Sequence, residues 1–260
     1  MNNVNKTLYI PLYGKAYVSC RGLILKDKKA EEIWAAEGFP LRGKAASKWL
    51  AYYMGMRCAV FDRWVKQAMA QMPGAAVLHL GCGMDSRVFR VNAGDHMWYD
   101  VDFPAVIAER KRYYSESERY RMIGGDLREE SWLEDIPEQE AIVILEGVSM
   151  YLQPQELIGL FKNLNKRFSK CRILMDVYTQ FAAKASRYKN PINQVGVTQV
   201  YGLDDPAVPA QDTGFSFKQA HCMTPDDLIG QLTKGEQIIF RKVYAGKMAD
   251  KLYRLYEYEA

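Results

Sequence analysis

Histidine is scarce. The 260 residues hold three, His79, His96 and His221, far apart and without an H-E-x-x-H pair, so no dedicated metal site is expected. Cysteine excludes two further classes. The five thiols (Cys20, Cys58, Cys82, Cys171, Cys222) are odd in number, scattered and without a C-x-x-C, which fits reduced thiols and argues against a disulfide framework or a zinc knuckle. No apolar run approaches the ~20 residues needed to cross a bilayer. The early apolar stretch is broken by Pro11 and closed by Lys15, unlike a secretory leader. The expected compartment is therefore the cytoplasm, with no membrane partner. An excess of one charge is also missing: 35 Lys and Arg against 31 Asp and Glu leave +4, short of the basic stripe of a dedicated nucleic-acid binder. There is no internal repeat and no low-complexity tract.

What is present is an ordinary globular composition, 48% hydrophobic and 25% charged, enough for one large α/β domain with additions. Residues 1–73 read as a helical N-terminal cap, with apolar residues at helical spacing in ASKWLAYYMGMRCAVFDRWVKQAMAQM and a stop at Pro73-Gly74. Residues 74–177 alternate: the apolar runs AAVLHL, MWYDV, RYRMI, AIVILE and RILMDV are separated by helix-like segments such as FPAVIAERKRYYSES and QPQELIGLFKNLNKRF. That alternation predicts βαβ units and a parallel sheet. Residues 178–235 mix Pro, Gly, Asn and Asp with aromatics and read as an insertion or lid, ending near a helix at TPDDLIGQL. Residues 236–260 read as a C-terminal β-hairpin, EQIIFRKVYA and KLYRLYEYE joined by AGKMAD.

The chemistry gathers at the ends of the predicted strands. Gly81 and Gly83 follow the first, in LGCGMDSR, where the backbone turns sharply and a ligand can approach without a Cβ in the way. The second strand ends in Tyr99-Asp100-Val101-Asp102, and an acid about 20 residues beyond such glycines can accept both ribose hydroxyls. Asp100 and Asp102 share a strand face, so one of them can instead serve the next turn. The third strand ends in Gly124-Gly125-Asp126-Leu127, an acid for an exocyclic amine with an apolar side chain for an adenine ring. The fourth ends in Leu145-Glu146-Gly147. Ligands of open α/β sheets bind outside those ends. No histidine lies within the constellation. The near-match to a nucleophile elbow at Gly147-x-Ser149 lacks its second glycine, so hydrolase chemistry is not expected.

The strings VLHLGCGMDSRVFR, WYDVDFPAVIAERK, GGDLR and ILEGVSMYL resemble the leucine carboxyl methyltransferase family, including its bacterial polyketide-type O-methyltransferase branch. KAYVSCRGLILKDKKAEEI, MGMRCAVFD and the final YRLYEY are similar too, so the resemblance spans most of the chain. It implies a Rossmann-like class I methyltransferase fold, a mostly parallel seven-stranded sheet with an antiparallel last strand. The implied cofactor is S-adenosylmethionine, with S-adenosylhomocysteine as product. Gly81 and Gly83 would flank the cofactor's amino-acid end, Asp102 would hold the ribose, Asp126 and Leu127 would meet the adenine, and Glu146 would line the pocket near the transferable methyl group. Arg57 resembles the arginine that pairs the cofactor carboxylate, a role suited to its planar fork, and Lys15 stands where a second cation is expected. Cys82 reads as inert packing, and Arg87 and Arg90 as anchors of the loop.

The expected reaction is methyl transfer to an oxygen, a carboxylate or acidic hydroxyl of a small molecule or peptide terminus. A carboxylate is ionised near neutrality and needs no general base. Two alternatives share part of the pattern: an NAD(P)-dependent oxidoreductase, which the Gly83-to-Asp102 spacing would also serve, and a cofactor-binding module without catalytic activity. Tyr178, Arg187, Tyr188, Lys189 and Tyr201 are the lid residues suited to an anion beside an apolar body. No catalytic residue and no oligomeric state can be assigned from the sequence.

Overall fold

In the computed structural model, residues 8–37, 41, 43–189 and 199–260 are described. Seven strands form one sheet: β1 (Ala76–Leu80), β2 (Trp98–Asp102), β3 (Tyr120–Gly124), β4 (Glu140–Leu145), β5 (Lys170–Tyr178), β6 (Ser216–His221) and β7 (Tyr253–Glu259). Their order is β3-β2-β1-β4-β5-β7-β6. The first five pair in parallel, while β7 runs antiparallel between β5 and β6. The chain reverses direction across the sheet between β3 and β4, so a crevice opens outside the carboxyl ends of β1 and β4.

Both faces of the sheet are covered, as the near-continuous apolar composition of β1 and β4 requires. Alternation by two sorts their side chains. Ala76, Leu78, Leu80, Val143 and Leu145 pack into one core with α6 (Pro154–Arg167). Val77, Trp98, Ile142, Ile144 and Leu174 pack into the other, beneath α1 (Tyr9–Cys20), α2 (Lys28–Glu37) and α3 (Lys48–Gln71). That same period has a functional consequence. His79, Asp100, Asp102, Glu146, Asp176 and Tyr178 all follow in phase with the second set, so the polar groups of β1, β2, β4 and β5 lie toward α3. Shorter helices complete the chain order: α4 (Arg87–Val91), α5 (Pro104–Arg110), α7 (Gln180–Lys189), α8 (Asp226–Ile229), α9 (Lys234–Val243) and α10 (Lys247–Asp250).

The C-terminal hairpin expected at 236–260 is corrected. Residues 234–243 form α9, and only the second half, β7, is a strand. The apolar residues Ile239 and Val243, and Phe240 and Tyr244, are spaced by four rather than two, and Thr233 with Glu236 forms a capping box that starts the helix. The partner of β7 is β6, drawn from the segment read as a lid. Its strand character was hard to see because every residue from Ser216 to Ala220 is exposed, so no apolar alternation marks it.

Candidate functional site

A cavity of about 740 Å³ opens at the carboxyl ends of the strands, within the range of about 300–1,000 Å³ typical of small-molecule sites. All eight residues singled out from the sequence lie on its wall: Lys15, Arg57, Gly81, Gly83, Asp102, Asp126, Leu127 and Glu146. The turn after β1 explains the two glycines. Gly81 has φ +64° and a Cβ there would stand 2.3 Å from Val148 Cγ2; Gly83 has φ +50° and its Cβ would press on Leu8 at 2.9 Å. Neither position tolerates a side chain, and the cradle stays open.

The two acids of β2 divide their work. Asp100 is fully buried against Arg110, accepts a bond from the Tyr120 hydroxyl at 2.5 Å and faces His79 Nδ1 at 3.4 Å, so it is structural. Asp102 reaches the cavity. Its carboxylate accepts the backbone N–H groups of Gly83 and Phe103, each at 2.8 Å, and forms no ion pair among the described residues. Burial pushes its carboxyl up, and those two N–H groups offset only part of the rise. Asp126 is shared: both oxygens take the Arg128 guanidinium, at 2.9 and 3.1 Å from Nε, which holds its carboxyl below the usual range.

Between α3 and the strand ends runs a buried ionic network. Arg57 bonds Glu146 at 3.1 Å through Nε and Asp176 at 2.8 Å through Nη1. Arg87 bonds Glu146 and Asp62, the latter at 2.6 Å, and reaches Asp85 at 3.4 Å. Arg90 joins Asp27 at 2.6 Å and both Asp62 and Asp85 at 2.8 Å, and Lys15 holds Asp85 at 2.9 Å. Burial alone would raise the carboxyls of Asp85 and Glu146, but their cationic partners outweigh it and hold both below the usual range. Connected in this way are four cations (Lys15, Arg57, Arg87, Arg90) and five carboxylates (Asp27, Asp62, Asp85, Glu146, Asp176). The network therefore carries one net negative formal charge. In low dielectric that surplus favours a ligand that carries positive charge.

The geometry also narrows several expectations. Arg57 does not present a free fork, because its Nε and Nη1 are engaged by protein carboxylates; Nη2 lies against Gly147. His79 does line the cavity, contrary to the expected absence of histidine there. Its ring is wedged between Arg87 and Asp100, and burial lowers its pKa. Cys58, Asp85 and Glu146 offer donor atoms within 4.8 Å of one another, but the guanidiniums of Arg87 and Arg90 already bond this cluster. Of the lid candidates, Tyr178 lines the cavity and Tyr201 does not; the side chains of Arg187, Tyr188 and Lys189 lie outside the described residues. His221 bonds Glu257 at 2.6 Å across β6 and β7, away from the cavity wall.

Apart from Tyr178, two parts of the wall have no signal in the sequence. One is the aromatic group Tyr53, Tyr151, Tyr178 and Tyr253. The other is the segment Val243–Tyr253, whose Met248 and Leu252 line the cavity together with Ala182 of α7. The wall thus combines charged groups and backbone with rings and aliphatic chains.

The sequence profile of leucine carboxyl methyltransferase matches residues 11–165. The chain belongs to the leucine carboxyl methyltransferase family. Among its relatives is the tetracenomycin polyketide synthesis O-methyltransferase TcmP of Streptomyces glaucescens, 29% identical over 228 residues that cover 86% of this chain and 84% of that protein. The S-adenosyl-L-methionine-dependent methyltransferase dpfgK of Gibberella zeae is 26% identical over 230 residues, 79% of this chain and 77% of that one. In fold the methyltransferase is similar to magnesium protoporphyrin IX methyltransferase from Synechocystis PCC 6803 with bound S-adenosylhomocysteine, at TM-score 0.54 and 12% identity, covering 88% of this chain and 92% of that one. An S-adenosylmethionine-dependent methyltransferase from Mesorhizobium loti gives TM-score 0.54 at 14% identity, covering 76% and 98%. The protein is an S-adenosylmethionine-dependent methyltransferase of Rossmann-like fold, and the oxidoreductase alternative falls away. Its wall suits that cofactor: an open glycine cradle, an acid at the end of β2 with no ion pair among the described residues, and a network whose surplus negative charge complements a net cationic ligand.

Proposed function

We propose that the protein methylates an acidic oxygen, a carboxylate or acidic hydroxyl, on a small molecule with a flat apolar body. The cofactor supplies an activated methyl group on a sulfonium, a good leaving group that needs no acid. Asp102 accepts the ribose hydroxyls. Leu127 covers the adenine, whose amine shares Asp126 with Arg128. The backbone at Gly81 and Gly83 approaches the amino-acid end, where Lys15 and Arg57 Nη2 face the carboxylate. Glu146 lies toward the reacting end and contributes to the surplus negative charge there.

One observation carries the acceptor class: apart from Asp102, which is assigned to the ribose, the described residues of the wall offer no ready proton acceptor. Burial holds the Tyr53, Tyr151 and Tyr253 phenols above their usual range, so they stay protonated at neutral pH. His79 is enclosed between an arginine and an aspartate, and Glu146 and Asp85 are held as weak bases by their arginines. An acceptor that arrives already ionised needs none of these. The rings and aliphatic chains of the wall suit a planar apolar body, in keeping with the polyketide O-methylation named for the Streptomyces relative. Among the described residues no helix is long and apolar enough to cross a membrane, and the free cysteines fit the reducing cytoplasm proposed as the compartment.

A panel of aromatic acids and phenols, followed by S-adenosylhomocysteine release, tests the reading. With a carboxylate acceptor the single-turnover rate should be nearly flat from about pH 6 to about pH 9, since carboxylates ionise near pH 4. The product should be a methyl ester lost in mild alkali. A rate that climbs steeply with pH, with an alkali-stable product, rejects the carboxylate. A cofactor that binds and is never turned over favours a binding module instead.

A further inference from the structure

Ten large apolar side chains stay exposed among the described residues, and five of them line the cavity: Phe103, Tyr151, Val243, Met248 and Leu252. Phe103 adjoins the ribose acid Asp102, and Tyr151 follows the end of β4. The other three come from one short stretch. Val243 ends α9, Met248 lies in α10 and Leu252 directly precedes β7. Their exposures are 47, 46 and 41%, so a ligand in the cavity meets them without displacing protein atoms. An exposed apolar residue is ordinary when it stands singly. Three on the wall of one cavity offer a ligand a surface from which water is readily released.

Each of the three is preceded in the chain by a lysine: Lys242, Lys247 and Lys251. All three lysines are exposed and none forms an ion pair among the described residues, whereas Lys48 and Arg241 are taken by Glu236 and Asp226. Asp250 is the sole acid from Lys242 to Leu252, which leaves +2 over eleven residues, half of the +4 of the whole chain. Positive charge open to solvent therefore accompanies the apolar surface, while the surplus negative charge lies in the buried network.

We propose that the stretch from Lys242 to Leu252 captures and selects the methyl acceptor: Val243, Met248 and Leu252 seat its apolar body, and the three lysines draw in an acceptor that carries negative charge. This rests on the acidic-acceptor reading above. The lysines act at a distance. Exposed charges are felt over about 10 Å at 0.1 M salt, and they raise the rate of encounter rather than hold the bound acid. The anionic oxygen is left free to meet the sulfonium. Affinity comes from the apolar contact, because side chains already half open to water give that water up when a flat ring lies against them. A neutral ring system of the same shape is seated equally well and captured more slowly.

The test follows 2-naphthoate and its uncharged counterpart 2-naphthamide by stopped-flow fluorescence on protein saturated with S-adenosylhomocysteine. The triple variant Lys242→Gln, Lys247→Gln, Lys251→Gln should slow naphthoate association about 10-fold at low ionic strength and leave naphthamide within about two-fold of wild type. In 1 M salt, where charges are screened beyond about 3 Å, the naphthoate difference should vanish. Met248→Ser and Leu252→Ser should each weaken both probes about five-fold or more, mainly through faster release. Affinity for S-adenosylhomocysteine should stay within about two-fold; a merely structural role would carry it down with the probes. Naphthoate association indifferent to the lysines or to salt overturns the proposal. So do serine variants that bind both probes like wild type, a loss of S-adenosylhomocysteine affinity as large as that of the probes, and wild-type protein that binds neither probe. Methylation of acidic oxygens that is indifferent to both sets of changes sinks this inference alone; no methylation of any acidic oxygen sinks the reading beneath it as well.

Discussion

At the scale of single residues, the strand ends were legible because a Rossmann-like sheet presents ligand groups at a fixed place, the last residue of a strand or the one or two just beyond it. Asp102, Asp126 and Glu146 could be placed in that way. What local pattern could not say is which acid has a protein partner. Asp100 and Asp102 differ by one strand period, and only the long-range neighbours Arg110 and Tyr120 separate the buried one from the available one. Arg87 and Arg90 read as loop anchors and prove to be the centre of a network reaching back to Asp27 and forward to Glu146. Asp102→Ala should weaken S-adenosylhomocysteine binding by roughly 10- to 150-fold, the equivalent of losing about 1.5–3 kcal/mol. The loss includes the Gly83 and Phe103 N–H groups, which the carboxylate now orders. Arg57→Ala should do more harm to the fold than to affinity alone. It leaves Asp176 and Glu146 partly unpaired in the interior, a loss of about 3–5 kcal/mol for a broken buried pair. Denaturant unfolding beside calorimetric titration of both variants separates the two effects; an Arg57→Ala protein as stable as wild type would contradict the network's role.

At the scale of elements, the core strands β1 to β5 follow from apolar runs, and the failures cluster where that signal is weakest. α9 resembles a strand in composition, with Ile238, Ile239 and Phe240 in succession, yet Thr233-x-x-Glu236 in front of them is a helix-start signal that composition obscured. Glu236 does more than cap. It accepts the Lys48 ammonium at 2.9 Å and the Tyr52 hydroxyl at 3.0 Å, tying α9 to the start of α3. Hydrogen bonds from Lys48, Thr233 and Tyr52 lower its carboxyl from 4.5 to about 2 despite the opposing effect of burial. A depressed folded value means the stabilisation is full above the unfolded value and is lost as pH falls through the folded one. Glu236→Gln should therefore cost about 1 kcal/mol at pH 7, the size of a typical helix cap. The gap from wild type should narrow steadily below pH 4.5 toward about 2. Urea midpoints of the two proteins across that range give the answer, and a gap that widens in acid would refute the assignment.

At the scale of the whole molecule, the cavity draws on α1 and α3 from one end of the chain, the strand ends from its middle, and Val243–Tyr253 from the other end. A ligand that spans them fastens the helical cap to the sheet. At 100 times its dissociation constant, S-adenosylhomocysteine should add about 2.7 kcal/mol. That corresponds to a thermal midpoint raised by roughly 5–11 °C for a chain near this size, whereas NADH, whose two phosphates bring negative charge and whose reduced ring brings no positive centre for the network to meet, should leave the midpoint unmoved. A matching rise with NADH would undo the electrostatic argument. The position of β7 has a consequence for synthesis. It is the last strand to be made, yet it lies inside the sheet, and β6 joins the sheet through it. While the ribosome is still making residues 222–252, the outer edge of β5 has unpaired backbone groups and the finished β6 has no place to dock. A nascent chain in that interval offers two open strand edges, the usual template for aggregation. Translation speed and chaperone supply over that stretch should therefore govern how much of this protein reaches its native form, more than the stability of the finished sheet does.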